Sequence, residues 1–452
     1  MSADSQPPPT AAPRRLDLLY PGHVRVQMQR ADQALAASGF DALEIHSGHP
    51  PIQFLDDQDY PFKVNPHFKA WVPVADTPGC ILLYTPGRRP KLLFPQTGDY
   101  WYQVSPLPSD SWTQEVEVLP LRDGREAQAH RAGLGRTARI GPAESCGDAA
   151  AEDVNPPDLL TRLHYDRAVK TDYEIECLRR ANRLGVRGHR AALAAFREGR
   201  SEYAAQQRYL EACAQREEEM PYNNIVAYNE HAAILHYQRL ERAAPTQLRS
   251  LLIDAGAQFC GYAADITRSH AAGDGVYADL ILEMDNLQRA LCGQIVAGTD
   301  YRQVHLIAHR AIGDLLHRSG ITKVPGEAAI ERRVTGVFFP HGIGHLLGLQ
   351  VHDVGGVLTN PEGQECDRPP GHPNLRLTRR LQPGVVVTVE PGIYFIDTLL
   401  AAARGDTRAD AIDWPTVEAL RPYGGIRIED DVVTTAAQPE NLTRDAFASL
   451  AD

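Results

Sequence analysis

Residues 250–270 read SLLIDAGAQFCGYAADITRSH. An apolar β-type run ends in Asp254, a turn-prone Phe-Cys-Gly segment follows, and a second β-type run carries Asp265. Folded as a hairpin about Phe259 and Cys260, this stretch sets Asp254 and Asp265 nearly opposite each other, because the two are equidistant from that turn. Directly opposed residues on antiparallel strands have Cβ atoms about 5 Å apart, and like charges there are destabilising. Something positive is therefore expected between them. Two solvated turn aspartates are the plain alternative, and the rest of the chain has to discriminate.

Three further stretches bear on that choice. HGIGHLLGLQVHD, His341 to Asp353, places His341, His345 and His352 among glycines and leucines. A lone histidine near apolar residues is ordinarily a satisfied core or cleft residue, but neutral imidazole is also a common metal ligand. In GVVVTVEPGIYF, Glu390 ends an apolar run where a strand would ordinarily carry another Val or Ile. In GGIRIEDDVV, alternation with period two puts Arg427, Glu429 and Asp431 on one face and Ile426 and Ile428 on the other. A buried carboxylate needs a partner or a metal. Asp254, Asp265, one of the histidines, Glu390 and Glu429 together form an oxygen-rich set that suits hard or borderline divalent ions, and the number of carboxylates invites two ions. Two metals roughly 3.5–4 Å apart can activate a water and polarise a carbonyl, so metal-assisted hydrolysis is the expected chemistry.

The remainder of the chain is consistent with an enzyme of that kind. At 452 residues it exceeds the size at which one core keeps growing, so two or more domains are expected. Its composition, 43% hydrophobic and 23% charged, is that of a globular protein. A net charge of −12 argues against a nucleic-acid backbone or an anionic membrane as main partner. No apolar run approaches the roughly 20 residues that span a bilayer. The start, MSADSQPPPTAAPRR, lacks the hydrophobic segment of a secretory signal and reads as a disordered Pro-rich leader over residues 1–15. Seven scattered cysteines without a CxxC pair suit reduced thiols in a cytoplasmic protein.

A helical stretch from Val24 to Ala37 and β-type runs in DALEIHSG, CILLYTP, KLLFP and ARIGP predict a compact α/β domain over residues 16–167. Thr171 and Glu174 have capping-box spacing, so a helix is expected to enter at Thr171 and to open a second domain, residues 168–452. Further helices are expected over Ser201–Glu218, Ala278–Ala297 and Tyr301–Arg318. Interleaved with the strand-like runs already quoted, they predict an α+β layout with antiparallel pairs.

The stretches IHSG, FLDD, YPFKVNPHFKAWVPV, NIVAYNEHAAILHY, DAGAQFCGYAADITR, PHGIGHLLGLQVHDVGG, LQPGVVVTVEPGIYFI and GGIRIEDDVV, in this order, resemble the pita-bread metallopeptidases: methionine aminopeptidase, aminopeptidase P and prolidase. The resemblance runs from about residue 45 to 433 and is strongest to the Xaa-Pro dipeptidases (prolidases) and their relative, organophosphorus acid anhydrolase. It implies a C-terminal pita-bread catalytic domain behind a smaller creatinase-like α/β domain. It also implies that Asp254, Asp265, His345, Glu390 and Glu429 hold two divalent metals, usually manganese, with cobalt or zinc as alternatives. His341 and His352 then look like the residues that hold substrate and the developing oxyanion, and Glu390 matches the family's proton-shuttling glutamate. His236 and Arg376 resemble the pair that clamps the carboxylate of a C-terminal proline, Arg427 an arginine near Glu429, and Tyr222 a pocket tyrosine. The resemblance further implies a homodimer in which a loop covers the partner's site, with FLDDQDYPF as that loop and Asp57 as a candidate contact for the substrate's amino group.

On this reading the substrate is a small peptide ending in proline, with no nucleic acid and no membrane involved. Positive groups that reach a free carboxylate exclude longer chains, which present an uncharged amide at that point. Aminopeptidase P, which acts on longer peptides, shares nearly all the metal motifs and is the nearest rival. A non-catalytic binding protein of the same fold is disfavoured because all five ligand positions are filled by competent residues. Attack on organophosphorus esters is a conceivable side activity of the same centre.

Overall fold

The computed structural model describes residues 15–98, 100–101 and 103–450. The Pro-rich leader expected over residues 1–15 lies, apart from Arg15, outside the described residues. Arg15 itself opens a helix, Arg15–Ser38, which begins earlier than the expected Val24 and carries Pro21 inside it. A proline there removes one backbone hydrogen bond, and tertiary contacts around it hold the helix together. Tyr20 donates its hydroxyl to the Trp71 carbonyl at 2.5 Å, and His23 Nε2 donates to the Ala70 carbonyl at 2.8 Å.

That helix packs on a five-stranded mixed sheet of β1 (Ala42–His46), β2 (Ile81–Tyr84), β3 (Lys91–Pro95), β4 (Glu117–Leu121) and β5 (Thr137–Ile140), in the order β4-β3-β2-β1-β5. β1 runs parallel to β5 and β3 to β4, while β2 is antiparallel to both neighbours. β4, which the sequence does not announce, contains Pro120. It forms the sheet edge, where a strand tolerates a residue with no N–H.

The second half opens as the capping spacing requires. The helix Asp172–Arg197 has Thr171 as N-cap, with Thr171 N donating to Glu174 Oε2 at 2.8 Å and Glu174 N to Thr171 Oγ1. Thr171 Oγ1 also pairs with His23 Nδ1 at 2.9 Å, which ties the two halves at the helix entry. The next helix, Glu202–Cys213, ends five residues short of the expected Glu218 because Ala214 takes a left-handed conformation at φ 52°. Val276–Cys292 and Tyr301–Arg318 follow.

These helices flank antiparallel strands. β6 (Ile225–Tyr228) and β7 (Ser250–Asp254) pair with each other, β8 (Gln258–Phe259) pairs with β9 (Tyr262–Ala263), and β7 pairs with β10 (Thr267–Ala271). β11 (Val386–Val389) and β12 (Gly392–Tyr394) pair with β14 (Asp430–Val433) and β13 (Gly425–Arg427) respectively, and β15 (Glu440–Asn441) extends β14. Among the described residues, one isolated β-bridge, Thr267 to Glu429, joins the two groups of strands. The result is the α+β, pita-bread architecture behind a creatinase-like α/β domain.

The hairpin register differs from expectation. The two-residue turn is Cys260-Gly261, with φ of 49° and 82°, rather than Phe259-Cys260. Its centre therefore moves by one residue, and Asp254 opposes Thr267, not Asp265. Asp265 lies between β9 and β10, outside the paired registers, and its N–H donates to Asp431 Oδ2 at 3.1 Å.

Candidate active site

Asp254 ends β7, Glu390 follows β11, and Glu429 lies between β13 and β14. His345 belongs to an irregular segment that runs alongside β11. Thr388 N donates to His345 O at 3.0 Å, Glu390 N to Ile343 O at 2.9 Å and Leu347 N to Val386 O at 3.0 Å. Gly344, at φ 155°, allows this approach; a Cβ there would collide with the Thr388 carbonyl and the Tyr301 hydroxyl.

All five expected ligands line one cavity of about 400 Å³, together with His236, His341, His352, Arg368, Arg376 and Arg427. A larger groove of about 710 Å³ lies between residues 247–249, 272–278 and 415–423, but its lining offers a single carboxylate, Asp274, and no histidine. The chemistry is concentrated in the smaller cavity.

Within it, one ligand atom each from Asp265, His345 and Glu429 lies within 4.8 Å of the others. His345 Nδ1 faces the Leu346 carbonyl at 3.0 Å and so carries the proton in the neutral ring. Its Nε2 lone pair then points at Asp265 Oδ2, 3.4 Å away, with Glu390 Oε1 at 3.7 Å. Acceptor facing acceptor requires either a proton or a cation between them. Without a cation, burial and the neighbouring acids push the Glu390 carboxyl up to about 7 and hold Glu429 well above the usual range. Although burial works against it, the Asp265 and Glu390 carboxylates raise His345 to about 9. Mutually repelling carboxylates around an imidazole lone pair fit a divalent metal ion.

Arg427 and its neighbours organise this set. Its guanidinium donates to Asp254 Oδ2 at 2.6 Å, to the Tyr394 hydroxyl at 2.7 Å and to Thr267 Oγ1 at 3.1 Å, and Thr267 in turn donates to Glu429 Oε2 at 2.7 Å. Every guanidinium nitrogen is thus engaged by the protein, so at the cavity wall Arg427 balances the charge of its neighbours. Tyr222, expected as a pocket residue, donates to Asp254 Oδ1 at 2.7 Å. His341 has both ring nitrogens occupied, Nδ1 by the Gly342 carbonyl at 2.8 Å and Nε2 by the Tyr394 hydroxyl at 2.9 Å, and Nδ1 also lies 3.5 Å from Glu390. His352 is exposed, its ring stacked edge-on at 4.4 Å from His345.

His236 and Arg376 are exposed where they line the cavity. Asp57 is not brought there within one chain. It sits in an exposed loop pinned by Asp56, whose carboxylate accepts from the N–H groups of Asp57 and Gln58. Phe54 and Leu55 beside it are 88% and 91% exposed. Tyr394, Thr267 and Arg368 are site residues the sequence reading passes over. Thr267 and Tyr394 stand in quoted motifs, two residues after Asp265 and four after Glu390, and period-two alternation from those residues could have found them. Arg368 has no such signal.

Residues 18–165 match the family Xaa-Pro dipeptidase, N-terminal domain, and residues 176–436 match Metallopeptidase family M24. A Xaa-Pro dipeptidase of Stenotrophomonas maltophilia (strain K279a) is 48% identical over 434 residues, covering 95% of this chain and 98% of the relative. One of Xanthomonas campestris pv. campestris (strain B100) is 49% identical over 436 residues, covering 96% and 99%. Among solved structures, Pseudomonas aeruginosa aminopeptidase PepP superposes with a TM-score of 0.69 at 22% identity, covering 95% of this chain and 98% of that one. Zinc-substituted Escherichia coli aminopeptidase P in complex with product gives 0.67 at 23%, covering 93% and 95%. These two likenesses speak for the fold. With nearly full-length identity of this order to its curated relatives, and a carboxylate–imidazole cluster beside the strands, the chain belongs to metallopeptidase family M24, among the Xaa-Pro dipeptidases.

Proposed function

We propose that the protein hydrolyses dipeptides whose second residue is proline, using two divalent metal ions, manganese by preference with cobalt or zinc as substitutes, held by Asp254, Asp265, His345, Glu390 and Glu429. The observation that carries the reading is the union, in one cavity of about 400 Å³, of that carboxylate–imidazole set with the exposed side chains of Arg376 and His236. Bound divalent metal supplies a polarised carbonyl and an attacking water of lowered pKa.

The side chains do the rest. Arg376 and His236 pair with the free carboxylate of the proline, which fixes the scissile bond over the carboxylates and rejects longer peptides. His352 donates to the carbonyl oxygen as negative charge develops there. Glu390 takes a proton from the attacking water and passes it to the proline nitrogen, a tertiary amide nitrogen that cannot leave without one. His341 holds substrate by its ring and keeps Glu390 in place at 3.5 Å. Tyr222 and Arg427 fix Asp254 from both of its oxygens. Two copies of the chain form a homodimer in which the exposed loop around Asp57 reaches the substrate amino group in the neighbouring site.

A substrate panel tests this. Ala-Pro should be cleaved, while Ala-Pro-Ala and Ala-Pro-NH₂ should be poor substrates. Arg376→Ala should raise KM for Ala-Pro roughly ten- to a hundredfold, the worth of a charge-assisted hydrogen bond of about 1.5–3 kcal/mol, while the amide changes little. Faster cleavage of the tripeptide would refute the dipeptidase reading in favour of an aminopeptidase. Equal losses on acid and amide would move the clamp to His236 or Arg368.

A further inference from the structure

The proposed reaction leaves a second group of metal-competent side chains unused. His305 and His309 lie one turn apart on the helix Tyr301–Arg318, so both rings leave the same face. His372 comes over them from the Pro369-Pro370-Gly371 turn, where Gly371 has φ 85° and His372 N donates to the Pro369 carbonyl at 3.1 Å. One ring nitrogen from each histidine lies within 4.8 Å of the other two. The ring centroids are 4.6–4.7 Å apart.

The present hydrogen bonds do not account for this clustering. His305 Nε2 meets His372 Nδ1 at 2.9 Å, and His309 Nδ1 meets Thr335 Oγ1 at 3.0 Å. His305 is 1% exposed, and its Nδ1 is buried with no partner among the described residues. A buried imidazole nitrogen left unpaired costs free energy, so this ring is not held among its neighbours by satisfied hydrogen bonds alone. Burial also keeps the rings unprotonated, His305 down to about 2 and His309 to about 3, so protons do not compete for the lone pairs. A cavity of about 390 Å³ opens onto the group and leaves room for a further ligand such as water.

We propose that His305, His309 and His372 form a second, all-nitrogen metal site that takes a borderline transition-metal ion of the zinc type. Three imidazoles without a carboxylate favour zinc, nickel or copper over manganese or magnesium. The donor set thus differs in kind from the carboxylate-rich centre, and the two sites should sort metals between them. The inference stands on these three residues and does not depend on the substrate assigned above.

The test uses the full chain loaded with excess Mn²⁺, exposed to Zn²⁺, freed of loose metal by gel filtration and analysed for both elements. Wild type should retain about one more zinc per chain than His309→Ala or His372→Ala, with the manganese content of all three alike. Loss of one of three ligands should weaken zinc binding on the order of a hundredfold, readable by calorimetric titration. His372 lies half-buried on a loop, so His372→Ala carries the test if the helix variant fails to fold. Equal zinc in wild type and His372→Ala, or zinc taken up only at the expense of manganese, would overturn the assignment.

Discussion

Arg427→Gln probes the charge balance of the proposed metal centre directly. In the metal-free protein Arg427 is the buried cation bonded to Asp254, at 2.6 Å, with side-chain exposures of 5% and 14%. Removing one partner of a buried pair leaves the other charge uncompensated and costs about 3–5 kcal/mol. Two further contacts, to Tyr394 and Thr267, are lost as well, but glutamine can replace part of them, so the lower half of that range is expected. For a domain of this size such a loss lowers Tm by on the order of 10 °C. The effect should depend on pH in a definite direction. Burial already raises the Asp254 carboxyl, while Arg427 opposes that shift. Without Arg427 its folded pKa rises further above the unfolded value. A carboxyl shifted upward stabilises the fold at low pH, where it is protonated, and loses that contribution as pH rises through the folded pKa. The deficit of the variant should therefore be smaller at pH 5 than at pH 8, and added Mn²⁺ should narrow it. Thermal unfolding of metal-free and manganese-loaded wild type and Arg427→Gln at both pH values measures this. A deficit below about 1 kcal/mol at pH 8, or one independent of pH, would show that Asp254 is not a buried anion held by Arg427.

The other expectations concern the residues one at a time. Alanine at Asp254, His345 or Glu429 should abolish hydrolysis and lower bound metal, as elemental analysis would show; full activity at unchanged metal content would remove that residue from the ligand set. His352→Ala should keep its metal yet lose on the order of a hundredfold in kcat, the usual effect of deleting one oxyanion donor; loss of metal instead would exchange its role with that of His345. Because metal-free Glu390 sits at about 7 and His345 at about 9, metal uptake at pH 7 should expel protons and tighten as pH rises towards 9. Calorimetry in buffers of different ionisation heat counts those protons, and binding heats that do not vary with buffer would rule the coupling out.

Much of this was legible from the chain because buried charge in apolar strands is conspicuous. Glu390 after VVVTV and Glu429 within GIRIEDDVV stand where hydrophobic residues are ordinary, and both line the cavity. The capping box at Thr171 was equally plain, since its two hydrogen bonds are local. What the residues did not disclose depended on tertiary context. The hairpin register turned on whether Cys260 would accept a left-handed φ, which only the packing of Gly261 beside Lys69 settles. The helix from Arg15 survives Pro21 through contacts made some 50 residues away. Arg427 and Glu429 line the same cavity, yet alternation along a strand cannot say that the Arg427 guanidinium is spent on Asp254. The three-histidine cluster escaped notice because only His305 and His309 share a local period, and His372 reaches them across a turn in a distant loop.

Asp353 shows how the two halves of the chain bear on the same site. It closes the histidine stretch, is wholly buried at its carboxylate, and accepts from Arg167 and from Lys170, the latter at 2.9 Å. Burial alone would raise its carboxyl, but the two cations hold it well below the usual range, so it stays charged. Desolvating three ionic groups consumes most of what their attraction returns, so the value of the triad is positional. It anchors the end of the loop that carries His345 and His352 to the segment leading into the helix Asp172–Arg197. Lys69, from the α/β half, adds hydrogen bonds at 3.2 Å to the Gly261 carbonyl and 3.1 Å to that of Leu349, tying the hairpin turn to the same loop. The loop that bears the imidazoles is thus fixed at its far end by groups from Lys69, Arg167 and Lys170, none of which lines the cavity. Such placement matters because a displacement of about 1 Å at reacting groups can cost on the order of a hundredfold in rate. The α/β half is therefore part of what sets the imidazole geometry, and not merely a neighbour of the catalytic strands.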